Sequence, residues 1–437
     1  MAEKVVLAYS GGLDTSVAVR WLQEKYDLKV ITLTVDIGNV PDLEAIRQKA
    51  LKVGAIKALV VDAKETFIRS YVFPALQADA IYEGQYPLST ALGRPLIVRL
   101  LVETAKKEKA RIVAHGCTAK GNDQVRIDVG VAALAPELKV IAPAREWKMT
   151  REQTIKYAQA HNIPVPVTKA SPYSIDENLW GRGIECGVLE DTWNEPPEDV
   201  FLWTRPPEKT PARPAYLEIG FEKGIPLTLN GRKVEPVTLV QKVHDLAGRH
   251  GIGRIDHVEN RLVGIKSREI YEAPAAVVLL KAHLALEDLV LTKDQLRFKA
   301  RVAAEYADLV YNGLWFSALH QDLAAYVASS QRHVTGTVRL RLHRGVCQVV
   351  GRKSPVSLYN LELATYDKTD AFDHNAALGF IKLWGLPLKT QAQIQRIGEP
   401  PAEVLTIAPP TVEKVTLTLE DRDKLKLARE DTQFEEE

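Results

Sequence analysis

The first third of the chain alternates short apolar runs with stretches of helical periodicity, and this alternation restricts the possible folds more than any other feature. The runs Lys4–Tyr9, Leu28–Ile37 and Ile56–Val61 are rich in β-branched residues, and Asp14–Lys25 repeats its apolar residues at helical spacing. Strands that are apolar along most of their length are buried on both faces. The pattern therefore predicts an α/β fold, in which a parallel sheet carries helices on both faces.

The later part of the chain has a different pattern. Several prolines between residues 164 and 172 end the first rhythm, and Val334–Leu342 alternates apolar with polar residues before His343-Arg344-Gly345. An alternating strand followed by a tight turn is typical of an antiparallel hairpin. We therefore predict a parallel-sheet domain over residues 1–168, an α+β domain over residues 169–390, and a C-terminal tail or arm over residues 391–437.

The composition excludes several classes of protein. With 57 basic and 56 acidic residues the formal net charge is +1, and the hydrophobic fraction is 46%. A disordered chain would be less apolar, and a nucleic-acid-binding protein would usually carry a basic excess. The sequence shows no membrane span and no His and Cys cluster with metal-site spacing, so we predict no membrane partner and no protein-held metal. Cys117, Cys186 and Cys347 are far apart, which favours a cytoplasmic location.

The junction between the first strand and the first helix has the composition of a phosphate-binding loop. It reads Ala8-Tyr9-Ser10-Gly11-Gly12-Leu13-Asp14-Thr15-Ser16. Glycines allow the backbone to approach a ligand, and free N–H groups at a helix start favour phosphate. Asp14 would repel phosphates, so we expect a polyphosphate with bound Mg²⁺. A tight turn with an aspartate cap is the alternative, and the three nearby hydroxyl groups favour the phosphate site.

A second polar cluster runs from His115 to Arg126, after a predicted strand that ends near Ala114. Thr118 and Asn122 can form hydrogen bonds with a polar ligand. Asp123 can bind an ammonium group, and the Arg126 guanidinium can bind a carboxylate through two hydrogen bonds. This set suits an amino acid zwitterion. A solvated polar loop at the end of a strand is the alternative.

Both segments resemble known motifs. The first loop is similar to the pyrophosphate-binding loop of the N-type ATP pyrophosphatases, and the second resembles the Thr-Gly-Lys-Gly-Asn-Asp-Gln-Val-Arg signature of the argininosuccinate synthetase family. Further matches to that family extend to about residue 387. They are Tyr86-Pro-Leu-Ser-Thr, Ser174-Ile-Asp-Glu-Asn-Leu-Trp, His250-Gly-Ile-Gly-Arg-Ile-Asp, Val258-Glu-Asn-Arg, Lys266-Ser-Arg-Glu-Ile-Tyr-Glu, Ser357-Leu-Tyr-Asn and Gly379-Phe-Ile-Lys-Leu-Trp-Gly.

The resemblance implies a fold and a reaction. The fold would be an adenine nucleotide alpha-hydrolase-like domain, followed by a synthetase domain and a C-terminal arm. The activity would be that of a carbon–nitrogen ligase of arginine biosynthesis, which uses Mg²⁺ and ATP to condense L-citrulline with L-aspartate. A citrullyl-adenylate intermediate would form with release of pyrophosphate, and AMP would leave in the second step. The family also implies a homotetramer in which the C-terminal region wraps a neighbouring subunit.

The resemblance further implies roles for individual residues. ATP would contact Ala8, Tyr9, Ser10, Gly11, Gly12, Leu13, Asp14, Thr15, Ser16, Val35 and Gly116. Aspartate would contact Thr118, Asn122 and Asp123. Citrulline would contact Tyr86, Thr90, Asn122, Arg126, Ser174, Gly183, Glu259 and Tyr271. The catalytic roles would fall to Asp14, Ser16 and Asp123.

The sequence departs from the family pattern at a few positions. Ala119 replaces a usual glycine, and Gly183 replaces a serine that usually contacts citrulline. Ala91 can also fall at a hydroxyl-bearing position. We expect weaker citrulline binding from the lost hydroxyl. Two other functions remain open from the sequence, namely another ATP pyrophosphatase such as a tRNA-thiolating enzyme, and a nucleotide-binding protein without catalysis.

Overall fold

The computed structural model describes residues 3–39, 42–118, 121–147, 149–164, 172–367 and 370–395. The chain divides into two compact units, residues 1–360 and 361–437. Ala119 and the predicted tail beyond residue 395 lie outside the described residues. The domain boundaries near residues 168 and 390 stay predictions.

The predicted parallel sheet is confirmed. Its strands are β1 (Lys4–Ala8), β2 (Lys29–Asp36), β3 (Lys57–Asp62), β4 (Ile112–Ala114) and β5 (Lys139–Ile141), in the spatial order β3-β2-β1-β4-β5. All the neighbouring pairs are parallel. Val5 and Leu7 pack into one apolar core and Val6 into another. Helices therefore cover both faces of the sheet, as the near-continuous apolar strands predict.

The helices of this region mostly follow the predicted pattern. They are α1 (Leu13–Tyr26), α2 (Leu43–Val53), α3 (Lys64–Phe67), α4 (Phe73–Gln77), α5 (Ser89–Glu108), α6 (Asn122–Leu134), α7 (Pro143–Glu146) and α8 (Arg151–Ala160). The sequence pattern predicts a helix over about residues 95–109, and this start is wrong, since α5 begins at Ser89 and includes Pro95. The Tyr86 hydroxyl accepts the N–H of Thr90 at 2.8 Å, which satisfies a free donor at this early start.

The remainder of the first unit is α+β. Its helices are α9 (Pro236–Arg249), α10 (Pro274–Val290), α11 (Lys293–Tyr311) and α12 (Ala318–Ser330). Its strands are β6 (Ser174–Asn178), β7 (Gly181–Glu185), β8 (Ala215–Glu222), β9 (Ile225–Leu229), β10 (Arg232–Lys233), β11 (Arg254–Asn260), β12 (Lys266–Glu272), β13 (Gly336–His343) and β14 (Val346–Lys353). They form two antiparallel sheets, ordered β10-β9-β8-β13-β14 and β11-β12-β7-β6.

The predicted hairpin near residue 344 is confirmed. β13 pairs with β14 in antiparallel fashion, and Arg344 and Gly345 turn the chain with φ angles of 46° and 79°. Val338, Leu340 and Leu342 are buried, as their alternation with polar residues predicts. In the part of the chain that the structure describes, no helix is long and apolar enough to cross a membrane.

The second unit contains α13 (Leu361–Ala364), α14 (His374–Trp384) and α15 (Leu386–Gln395). Its helices expose much apolar surface. In α14 the exposed side chains include Leu378, Phe380, Ile381, Leu383 and Trp384. Exposed apolar surface of this extent usually marks a contact with another molecule.

A buried ionic cluster joins the segment between α4 and α5 to helices α10 and α11. Asp79 contacts His283 at 2.6 Å, and the Lys299 ammonium pairs with Asp79 and, at 2.9 Å, with Glu287. Asp79, His283 and Glu287 could hold a metal ion. The Lys299 ammonium contacts both carboxylates, so it already supplies the cation of this cluster. The cluster fixes the position of a segment that precedes Tyr86.

We expect Lys299→Met to lower the free energy of unfolding by about 3–5 kcal/mol, because it leaves two buried carboxylates without their cation. Lys293→Met is the matched control, since Lys293 is exposed at the start of the same helix. Urea titration of both variants measures the difference. Equal stability of the two variants would show that the cluster does not hold the fold together.

Candidate active site

The site lies where the order of the parallel sheet changes direction. β1 lies between β2 and β4, so the segments after β1 and β4 leave the same edge of the sheet in opposite directions. Ligands of open α/β sheets bind in the crevice at such a point. A cavity of about 440 Å³ occupies this position and is referred to below as the loop cavity.

Most of the predicted ATP-binding residues line the loop cavity. They are Ala8, Tyr9, Ser10, Gly12, Leu13, Asp14, Thr15, Val35 and Gly116. Gly11 and Ser16 are not among the lining residues. Ser16 is fully buried, and its hydroxyl oxygen lies 3.0 Å from that of Tyr9. Ser16 therefore contacts Tyr9 beneath the loop and does not face the cavity.

The geometry of the loop suits an anion. No side chain caps the start of α1. The first N–H groups of that helix consequently remain available to a ligand, together with the positive end of the helix dipole. Gly11 has a φ of +77°, a conformation that glycine adopts without strain. The Lys49 ammonium donates to the Gly11 carbonyl oxygen at 2.6 Å and adds positive charge beside the turn.

Asp14 is an acidic group that lines the loop cavity. Desolvation raises the pKa of Asp14, and Arg151 opposes this shift. A carboxylate beside phosphate groups is repulsive unless a cation lies between them. Its oxygen atoms are of the kind that Mg²⁺ prefers, so the residues present fit a magnesium-bound polyphosphate.

A second cavity, the amino-acid cavity, lies beside the first and contains about 110 Å³ of free space. All the residues predicted to contact citrulline line it, namely Tyr86, Thr90, Asn122, Arg126, Ser174, Gly183, Glu259 and Tyr271. They come from α5, α6, β6, β7, β11, β12 and the segment before α5. Thr118, predicted to bind aspartate, is exposed and lines neither this cavity nor the loop cavity.

The two cavities share part of their lining. Asp123, Ser174 and Asp176 belong to both. A molecule in the loop cavity and a molecule in the amino-acid cavity would therefore meet beside these three residues. This shared border is the position at which a reaction between two bound substrates is possible.

Asp123 lies at that border between two guanidinium groups. Its carboxylate accepts from Arg94 at 2.7 Å and from Arg126 at 3.0 Å. Burial by itself raises the pKa of Asp123, but Arg94 and then Arg126 hold that pKa at about 2. Arg94 also donates to Asp176 at 2.8 Å. A network of contacts among two arginines and two aspartates therefore crosses the border.

Opposite charges are present together in the amino-acid cavity. Arg126 is buried, its Nε donates to the Tyr311 carbonyl oxygen at 2.8 Å, and its Nη2 has no hydrogen-bond partner among the described residues. Glu259 is buried and accepts from the Tyr271 hydroxyl at 2.7 Å and from the Tyr311 hydroxyl at 2.6 Å. A free guanidinium donor suits a carboxylate, and a buried carboxylate suits an ammonium group. The pair fits an amino acid zwitterion.

Gly183 has a steric role that the sequence did not reveal. It pairs with Tyr271 across β7 and β12, and the Tyr271 ring stacks on Tyr86 with centroids 4.3 Å apart. A Cβ atom at position 183 would lie 3.2 Å from Cε1 of Tyr271. A serine here would therefore require a small shift of that ring.

Several residues of the site were not predicted from the sequence. They are Arg94, Asp176, Glu185, Arg261, Glu269 and Tyr311. Burial and then Glu185 raise the pKa of Glu269 to about 8, although Arg261 contacts it at 2.6 Å. Asp176 and Glu269 lie inside quoted motifs, so those motifs were the available signal. Arg94 and Tyr311 are single residues on helices, and no local pattern distinguishes them.

Comparison with known proteins shows the family of this chain. Two protein-family models match the chain. The family model of the arginosuccinate synthase N-terminal HUP domain matches residues 4–164, and the family model of the arginosuccinate synthase C-terminal domain matches residues 173–391. An argininosuccinate synthase of Dehalococcoides mccartyi is 64% identical over 91% of this chain and 98% of its own length. The argininosuccinate synthase of Symbiobacterium thermophilum is 58% identical over 90% of this chain and 98% of its own length. That of Thermosynechococcus vestitus is also 58% identical, over 91% of this chain and 99% of its own length.

Among solved structures, the match to a U34-tRNA thiolase from Methanococcus maripaludis covers 38% of this chain and 60% of the thiolase chain, at 18% identity and with a TM-score of 0.24. The family models and the curated relatives together extend over most of the chain. The chain therefore belongs to the argininosuccinate synthase family, whose enzymes condense citrulline with aspartate in arginine biosynthesis.

Proposed function

We propose that the loop cavity binds ATP, the amino-acid cavity binds citrulline, and the two substrates react beside Asp123, Ser174 and Asp176. The observation that carries this proposal is the shared lining of the two cavities. In the first step the ureido oxygen of citrulline attacks the α-phosphorus of ATP. A new oxygen–phosphorus bond forms, the bond to the β-phosphate breaks, and pyrophosphate leaves.

The loop cavity supplies contacts for the nucleotide. The backbone and hydroxyl groups of residues 9–15 bind the phosphates, and Val35 on β2 borders the adenine. ATP arrives as its magnesium complex, and Asp14 is the carboxylate that would face the ion. A bound divalent cation neutralises phosphate charge and so favours departure of pyrophosphate. The chain itself contributes by positioning and by fixed charge.

The amino-acid cavity orients citrulline by its charged end. The free Nη2 of Arg126 binds the carboxylate, and Glu259 binds the ammonium. The ureido group then extends toward the border that this cavity shares with the loop cavity. Such an orientation brings the ureido oxygen to the nucleotide without a general base, because adenylation requires no proton transfer from the ureido oxygen.

In the second step the amine of aspartate attacks the activated ureido carbon, the carbon–oxygen bond to AMP breaks, and the amine loses a proton to the solvent. Asn122 and Asp123 are the residues that we assign to aspartate. Each oxygen of a carboxylate can accept more than one hydrogen bond, so Asp123 can bind the incoming amine while it pairs with Arg94 and Arg126. Thr118 stays a predicted contact.

We also propose a homotetramer and a cytoplasmic location. The apolar side chains that α14 exposes support assembly, and the occupant of that face would be a second copy of this chain. The three cysteines, which are free thiols, agree with a reducing compartment.

The proposed reaction is tested by measuring pyrophosphate release from Mg·ATP with and without citrulline and aspartate. We expect release to require citrulline. Asp123→Asn should lower kcat about 100-fold or more, because the two guanidinium groups lose the anion between them. Asp322→Asn is the matched control, since Asp322 is exposed on α12. Release that does not depend on citrulline would rule out the proposed reaction.

The effect of Gly183 is tested by restoring the serine. Gly183→Ser should lower the citrulline KM by about 2- to 10-fold, because the hydroxyl adds one hydrogen bond to the substrate. Gly183→Ala separates the hydroxyl from the steric effect, since it adds only the Cβ atom beside Tyr271. Steady-state kinetics with varied citrulline measures both. An unchanged or raised KM in Gly183→Ser would contradict the hypothesis.

Assembly is tested on the full chain by Ile381→Glu combined with Trp384→Glu, both on the apolar surface of α14. Charged groups in an apolar interface cost several kcal/mol, so we expect a mass below that of the tetramer. Lys382→Glu is the control, because it changes the charge of the same helix without removing apolar surface. Size-exclusion chromatography with light scattering gives the mass. A double variant with the mass of the unmodified protein would exclude α14 from the interface.

A further inference from the structure

We propose that Tyr311, at the C-terminal end of α11, is a positioning residue that fixes Asn122, Arg126 and Glu259 in the orientations needed to bind citrulline. Tyr311 is not part of the lining of the amino-acid cavity. It contacts three residues of that lining, through its hydroxyl group, its backbone carbonyl and its ring. The inference rests on the assignment of the amino-acid cavity to citrulline.

The hydroxyl group links the acidic and the amide residue. It donates to Oε1 of Glu259 at 2.6 Å and accepts from Nδ2 of Asn122 at 2.8 Å. Burial and then the Glu259 carboxylate raise the pKa of Tyr311 well above its ordinary value. The hydroxyl therefore keeps its proton and acts as a fixed donor to Glu259. The N–H of Leu262 donates to Oδ1 of Asn122 at 3.0 Å, so both ends of that amide are held.

The backbone and the ring orient the basic residue. The Tyr311 carbonyl oxygen accepts from Nε of Arg126 at 2.8 Å, and the guanidinium carbon lies 4.8 Å from the centroid of the Tyr311 ring. These contacts leave Nη2 of Arg126 as the free donor. Gly313 allows the end of α11 to pack this closely, since a Cβ atom there would lie 2.8 Å from Cα of Arg126.

The ring itself is held on its other side. Tyr311 stacks on Tyr82 with ring centroids 3.6 Å apart and an interplanar angle of 4°. The rings of Tyr311 and Tyr86 meet edge to face, with centroids 6.3 Å apart. The Tyr82 hydroxyl donates to the Asn260 carbonyl oxygen at 2.8 Å. Tyr311 is fully buried. A side chain fixed in this way has little rotational freedom, so it can transmit its position to three substrate-binding groups.

The direct test is Tyr311→Phe, which keeps the ring and the backbone contacts and removes the hydroxyl. We expect the citrulline KM to rise about 10-fold, with the ATP KM within about twofold of its original value, because the hydrogen bonds of the hydroxyl with the buried Glu259 carboxylate and with Asn122 are lost. Tyr306→Phe is the matched control. Tyr306 lies on the same helix, is buried, and has a hydroxyl without a hydrogen-bond partner among the described residues.

Glu259→Gln separates failure of this inference from failure of the underlying assignment. If Glu259→Gln raises the citrulline KM and Tyr311→Phe does not, Tyr311 is not a positioning residue and the cavity assignment stands. If neither variant changes the citrulline KM, the cavity assignment itself is wrong and the inference falls with it. A merely structural role would lower the thermal midpoint and the active fraction of Tyr311→Phe without changing its citrulline KM, and that result would also overturn the inference.

Discussion

The carboxylate of Asp123 and the two guanidinium groups that hold it form the interaction on which the site depends. Arg94 approaches from α5 and Arg126 from α6, and the pair keeps Asp123 ionised although it is largely desolvated. Asp123 borders both cavities, so its charge faces both of them together. Removing one member of such a network would leave a desolvated charge without its partner, which is costly.

The fold explains how these groups come together. The change of direction in the parallel sheet places the segments after β1 and β4 side by side, and these carry the predicted phosphate loop and the start of α6. The sheet ordered β11-β12-β7-β6 then supplies Glu259, Tyr271, Gly183 and Ser174 from strands that are neighbours in space. The loop cavity is lined mainly by residues of the parallel-sheet region, with Ser174 and Asp176 added from β6, while the amino-acid cavity takes its lining from both parts of the first unit.

Local features of the sequence predicted the parallel sheet and the hairpin near Arg344, because each depends on residues close together in the chain. The phosphate loop rests on equally local features and stays a prediction. The residues of the amino-acid cavity came from resemblance to a family, since periodicity alone does not connect Tyr86 with Tyr271. Tyr311 could not be predicted because its contact with Asn122 spans 189 positions of sequence. The start of α5 was wrong for a different reason, because the Tyr86 hydroxyl accepts the N–H of Thr90 and so satisfies a free donor at the earlier start. Family membership sets aside the tRNA-thiolating alternative.

The most direct test of the account follows one oxygen atom. Citrulline labelled with heavy oxygen at the ureido position is incubated with the protein, Mg·ATP and aspartate, and the AMP and pyrophosphate are analysed by mass spectrometry. If the ureido oxygen attacks the α-phosphorus at the border between the two cavities, the label appears in AMP. Label in pyrophosphate or in water, with unlabelled AMP, would contradict the proposed meeting of the two substrates.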